Sequence, residues 1–267
     1  MGFFQVEVRP DIINGDVSNV INSNKTDLAF GNTGDILFDW QVLDVPKGAS
    51  RLENCCVYIT GEDGGTAGLG DIHLVFAKSI NGVAPGSLGA PNAAQTACFE
   101  LPLHLIGAFS VEGTTAGEGS LIGPTFGTIY NGNHMGNSEG GQQKIILQGE
   151  PDSGSSAGYD TIYVAAFSGA SLDFSTGVLL DMAGDEDIDA SEDTPTTITV
   201  DGVDPRKAFQ VGDQVYVHDL NTPIPGTIAS MTSTTITFSE ANSTVDISNN
   251  DEMMCATPIK FIFGFEK

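Results

Sequence analysis

Basic residues are scarce in this chain: 10 Lys and Arg stand against 35 Asp and Glu, a formal charge of −25 over 267 residues. That balance excludes nucleic acid as a partner, because binding a polyanion requires cations that neutralise phosphates and release counterions. Anionic membrane surfaces are excluded on the same ground. No run approaches the roughly 18 apolar residues of a membrane span, and MGFFQVEVRP lacks a basic stretch followed by an apolar one, so manufacture and use without export are expected. Met1-Gly2 opens as a myristoylation signal does, but Val6 stands where Ser or Thr is required.

Chemistry-bearing patterns are missing as well. The cysteines Cys55, Cys56, Cys98 and Cys255 form no C-x-x-C pair, and His73, His104, His134 and His218 are scattered, so no zinc or other metal site is expected. Cys55 and Cys56 are neighbours on an expected strand, point to opposite faces and cannot easily bridge, which leaves buried reduced thiols as the expectation. GSSAG at 154–158 has the letters of a nucleophile elbow in the wrong frame, and neither a phosphate-binding loop nor a dinucleotide fingerprint occurs. With 35 carboxylates some pair always lies at a catalytic separation, so acid pairs carry no signal. Asp185, Asp187 and Asp189 sit at alternate positions of an apparent calcium loop, but Ala190 and Thr196 replace its Gly and Glu, which favours a solvated acidic linker over a weak calcium site. Asn24 and Asn242 head glycosylation sequons that carry little weight without a secretory signal. No catalytic residue, cofactor or metal is therefore assigned.

What is present is alternation. Glycine, at 33 residues, and period-two apolar patterns point to an all-β protein of short strands and tight turns, and a chain of this length buries roughly 75% of its unfolded surface. GFFQVEVRP places Phe4, Val6 and Val8 on one face, and DILFDWQVLDVP places Ile36, Phe38, Trp40 and Val42 on one face. On that pattern Trp40, the one tryptophan, belongs to the core. NCCVYITG, DIHLVFAKS, TACFELPLHLIGAFSVEG, KIILQG and DTIYVAAFSG continue as strands, and no helix of several turns is expected. Two readings stand for the long turn-rich segment 113–143: a contact arm, or a loop holding one more strand around FGTIY.

Beyond residue 178 the character changes, with TTITVDG, GDQVYVHD, GTIASMT and TTITFSEA reading as strands of a small β-barrel. Residues 179–257 carry 2 basic and 15 acidic side chains, so this unit would repel DNA. PIKFIFGFEK, with Ile259, Phe261, Phe263 and Phe265 on one face, is too apolar to stay exposed. It either returns to the first sheet or forms the barrel's last strand. The expected architecture is a jelly-roll-like β-sandwich over 1–178, completed by 258–267, with a small inserted or appended β-barrel over 179–257.

GDILFDWQVLDVPKGASRLENCCVYITGEDG with DIHLVFAKSINGVAPGSLGAPNAA resembles virion structural proteins of tailed bacteriophages, in particular marine and cyanobacterial T4-like phages. VGDQVYVHDLNTPIPGTIASMTSTTITFSE with TPIKFIFGFEK resembles small barrels of phage head and tail proteins. The resemblance implies a non-enzymatic virion component assembled in the host cytoplasm, most simply a capsid decoration or cement protein that binds the major capsid protein, as a homo-oligomer such as a trimer. A tail or baseplate protein is the alternative within that class. From another class comes a carbohydrate-binding β-sandwich, with Trp40, Tyr130, Tyr159 or Tyr163 stacking on sugar rings. A secreted hydrolase has no nucleophile or metal constellation behind it.

Overall fold

A computed structural model describes residues 2–10, 12, 29–30, 34–59, 71–89, 91, 93–94, 101–111, 128–131, 145–151, 160–169, 172–173, 178–180, 194–202, 204–217, 223–251, 253–255 and 257–267. Their strands are β1 (Phe3–Val8), β2 (Ala29–Phe30), β3 (Ile36–Leu43), β4 (Ala49–Ile59), β5 (Ile72–Lys78), β6 (Leu105–Val111), β7 (Thr128–Asn131), β8 (Ile145–Gln148) and β9 (Ile162–Ser168). They continue with β10 (Leu172–Asp173), β11 (Val178–Leu180), β12 (Thr197–Gly202), β13 (Val215–Val217), β14 (Ile228–Met231), β15 (Thr235–Phe238), β16 (Met253–Cys255) and β17 (Ile259–Glu266). Helix is confined, among the described residues, to α1 (Leu101–His104) and a 3-10 turn at Pro205–Lys207, where Asp204 Oδ1 caps the Arg206 N–H.

All pairings between these strands are antiparallel. One sheet runs β1-β17-β4-β7 with β8 also on β4, and a second runs β3-β9-β5-β6. The inner faces of these two sheets supply one apolar core: Val6, Leu52, Val57 and Leu147 come from the first, Phe38, Leu74, Phe76 and Val164 from the second. Between them lie the inward residues of β17. Phe261 meets Phe38 at 5.4 Å and Phe263 meets the edge of Phe76 at 5.9 Å, while Phe265 stacks on Phe4 at 5.2 Å. Burying such a ring contributes about 1.5–3 kcal/mol, and offset or edge-on ring pairs add to it.

The alternation of β17 and β1 therefore reads directly into space, and the closing segment pairs with β1 and β4 rather than ending a barrel. β3 departs from its expected pattern. Its register against β9 shifts between Ile36 and Phe38 and again before Gln41. Such irregularities re-aim side chains: Leu37, Phe38 and Leu43 enter the main core, Ile36 joins a smaller cluster with Leu88 and Ala165, and Val42 is 61% exposed. The stretch expected as one strand from Thr96 onward instead holds α1 ahead of β6. FGTIY does contribute a strand, β7, on the edge of the first sheet; the rest of 113–143 lies outside the described residues.

The acid-rich unit has its own core, built from Ile198, Phe209, Val215, Ile228, Ile236, Phe238 and neighbours. Here the expected barrel is not closed. β11-β12-β15-β14 and β13-β16 are separate sheets, and no sheet among the described residues forms a barrel. Pro223 and Pro225 explain part of this, because neither can donate to a ladder. Among the described residues, an isolated bridge from Tyr216 to Pro223 and single bonds such as Ile224 N to Val215 O connect that segment to β13.

Arg9, just beyond β1, ties this unit to the first sheet. Its guanidinium donates to Asp213 Oδ1 at 2.5 Å, and the Asp213 side chain is wholly buried. Asp213 Oδ2 accepts the Gln210 amide at 2.8 Å and the Cys255 thiol at 3.4 Å, so both of its oxygens are used. Among the described residues, Tyr216 alone of this unit's strand residues joins the first core.

Truncating the central ring should therefore be severe where truncating the exposed one is not. Phe263→Ala is expected to cost about 3–5 kcal/mol of unfolding free energy and Phe3→Ala under about 0.5 kcal/mol, both read from urea denaturation midpoints.

Candidate interaction surface

Outward-facing residues of the first sheet follow from the same register. Gly264 opposes Asn54, Glu266 opposes Arg51, and Phe3 opposes Glu266. A register shift in the β4–β17 ladder between Gly264 and Phe265 leaves Glu53 as the extra residue. Beside it opens a groove of about 470 Å³ lined by Phe3, Phe4, Gln5, Glu53, Asn54, Gly264 and Phe265. A Cβ at Gly264 would collide with the Asn54 amide, so glycine lets that side chain lie across the strand.

Chemically the groove joins apolar and polar groups. Phe3 is 76% exposed at its rim and half-buried Phe4 also lines it, while the Phe265 ring beneath belongs to the core. Arg51 donates to Glu53 at 2.6 Å and also to Glu266, so one of the chain's few arginines offsets two carboxylates there. Further large apolar side chains stand open at Ile146, Val42, Val83, Leu103 and Val211. Such an arrangement can seat a protein surface: an exposed aromatic knob beside a groove with a partly compensated polar rim.

Residues singled out in the sequence fall elsewhere. Trp40 is half-buried against the small cluster, and its indole N–H donates to Gly86 O at 3.0 Å, so it is less enclosed than alternation implied and does not stand as an open platform. Tyr163 is buried in β9. Tyr130 lies in β7 rather than a loop. His73 Nδ1 is 2.7 Å from Ser110 Oγ, and His104 Nδ1 donates to Lys78 O at 2.8 Å. Asn242 is fully buried, with its amide donating to Val245 O and its carbonyl oxygen accepting the Val245 N–H, so this sequon asparagine closes a turn inside the fold. Cys98, His134, His218, Tyr159, Asn24, residues 154–158 and Asp185, Asp187 and Asp189 lie outside the described residues. Among the described residues no three His, Cys, Asp or Glu side chains gather as metal ligands.

Cys55, Cys56 and Cys255 are unpaired, Cys55 and Cys255 buried and Cys56 half-buried on the opposite face of β4. Burial pushes the Cys55 thiol well up, helped by Cys56. Burial also pushes up Cys255, with the Asp213 charge adding to it, and Cys56, where Lys260 opposes the shift. The groove was missed in the sequence because it depends on the pairing of β1, β17 and β4; the one local signal was Phe3, apolar on the polar face of its strand.

These thiols stay protonated in the folded chain at a pH where unfolded ones ionise. The unfolded state then binds fewer protons, so stability is retained below the ordinary thiol range and falls as pH rises through and above it. Native-state alkylation mapped by mass spectrometry is expected to modify Cys56 before Cys55 and Cys255, and the urea midpoint is expected to drop above about pH 9, less so in Cys55→Ala. Against known proteins, no family model, no curated protein and no solved structure matches the chain.

Proposed function

We propose that this chain is a non-enzymatic virion structural protein, a capsid decoration protein that seats on the major capsid protein and stabilises the head. The shared core of the two larger sheets supports reading residues 1–178 with 258–267 as a jelly-roll-like sandwich, and the two smaller sheets around one apolar cluster support a barrel-like module over 179–257. The observation that carries the reading is the exposed Phe3 beside its groove, on a chain with a strong excess of acidic groups. An aromatic left open at that exposure gains most by entering a partner's pocket. The resemblance of GDILFDWQVLDVP and its neighbours to phage virion proteins gives the class of partner. A charge of −25 suits a protein that must remain soluble before assembly, and binding only the assembled shell would stabilise it by mass action. Assembly on the shell as a trimer belongs to the same proposal.

Purified protein added to undecorated heads should bind and raise their resistance to heat, and Phe3→Asp should weaken binding about tenfold or more while leaving circular dichroism unchanged. Binding to tails or baseplates in place of heads moves the chain to the tail class. Binding to no virion part ends the proposal.

A further inference from the structure

The chain contains three Asn–Gly pairs, at Asn14, Asn81 and Asn131, and Asn–Gly is the sequence most prone to spontaneous deamidation because glycine leaves its own nitrogen unshielded. In that reaction the Gly82 nitrogen would attack Asn81 Cγ. A C–N bond forms, the side-chain nitrogen leaves as ammonia carrying the proton lost from Gly82, and water opens the resulting succinimide to aspartate or isoaspartate. Asn81 is exposed to solvent, so water and base can reach it.

The local geometry is that of a two-residue hairpin turn. Asn81 and Gly82 both have positive φ, 52° and 75°, and Ile80 and Val83 exchange both backbone hydrogen bonds at 2.9 and 3.0 Å. Across the turn lies a carboxylate from 68 residues further along. Glu150 Oε1 accepts the Asn81 N–H at 2.7 Å and Oε2 accepts the Gly82 N–H at 3.0 Å. Its backbone is fixed in turn: Asp160 N donates to Glu150 O at 2.9 Å, and Gly149 packs so closely on Asp160 that a Cβ there would stand 2.6 Å from its backbone.

We propose that Glu150 is a guard residue that keeps the Asn81–Gly82 pair from deamidating, by holding the attacking nitrogen as a hydrogen-bond donor and by placing a negative charge where the nitrogen would have to become anionic. Charge-assisted bonds to two successive amides also hold the turn closed, so the rearrangement that brings nitrogen onto the side-chain carbonyl must first break them. The opposite role, a base that takes the Gly82 proton, is disfavoured because the bond from Gly82, with that from Asn81, lowers the carboxyl's proton affinity against opposing desolvation.

The test is ageing of the full chain at neutral pH, with deamidation at each pair read by peptide mass and isoaspartate content. In the native chain Asn81 is expected to deamidate about tenfold or more slowly than in the same chain unfolded in urea, the factor that corresponds to about 1.4 kcal/mol. Native Glu150→Ala is expected to lose most of that protection and Glu150→Gln, which keeps one acceptor oxygen, part of it, with circular dichroism confirming the fold. Equal native and unfolded rates at Asn81 in the unmodified chain overturn the proposal whatever the variants do. So does a folded Glu150→Ala chain that ages at the original rate, or more slowly as a lost base would make it.

Discussion

β17 is the constraint on which the rest of this structure depends. Its inward residues Ile259, Phe261, Phe263 and Phe265 are all buried, and the phenylalanines meet rings from β1, β3 and β5. Because β17 lies between β1 and β4, the middle of the first sheet cannot form until segments from opposite ends of the sequence have met. Closing so long a loop costs only slowly more with length, but it places the decisive contacts among the most non-local in the chain. The unit between β10 and β17 escapes that dependence, since its cluster draws only on residues from Ile198 to Cys255.

How that unit is held follows from the few polar contacts beneath it. Arg9 meets Asp213 at a site where the carboxylate is withdrawn from water, and desolvating such a pair offsets much of its Coulomb attraction. Its value lies in direction. A charge-assisted bond at 2.5 Å, two further donors on the same carboxylate and Tyr216 in the neighbouring core fix one orientation, which apolar contact alone would leave free to slide.

Much of this was legible in the residues themselves. Val6 and Val8, Leu74 and Phe76, and the four inward residues of β17 alternate without interruption, and each set is buried as its period demands. β3 was misjudged because the alternating set Ile36, Phe38, Trp40 and Val42 was followed through the apolar run Ile36–Leu37–Phe38 and the pair Val42–Leu43, where period two is already broken; the ladder with β9 shifts register at that first run. Whether the strands of the acid-rich unit close into a barrel was not legible, because strand content reports period, whereas closure depends on which edges pair. The groove and the Glu150 clamp were invisible for a related reason. Both assemble from segments far apart in sequence, and a lone glutamate before a proline carries no local sign of the turn it grips.

The surplus of acid and the exposed apolar groups act at different ranges, and this decides what kind of contact the surface can make. Repulsion among anionic copies extends about a Debye length, roughly 8 Å at physiological salt, and so governs approach. Burial of Phe3 or Ile146 acts only at contact. Chance encounters between free copies are slowed by that repulsion before apolar groups can touch, whereas a partner carrying compensating cations is not opposed in this way. Arg51 lowers the barrier at the groove, because it offsets part of the charge of Glu53 and Glu266 beside Phe3, the most exposed aromatic ring among the described residues. Scarcity of basic residues thus becomes a form of selectivity: where so few cations are spread over so many carboxylates, the position of each one marks where close approach costs least.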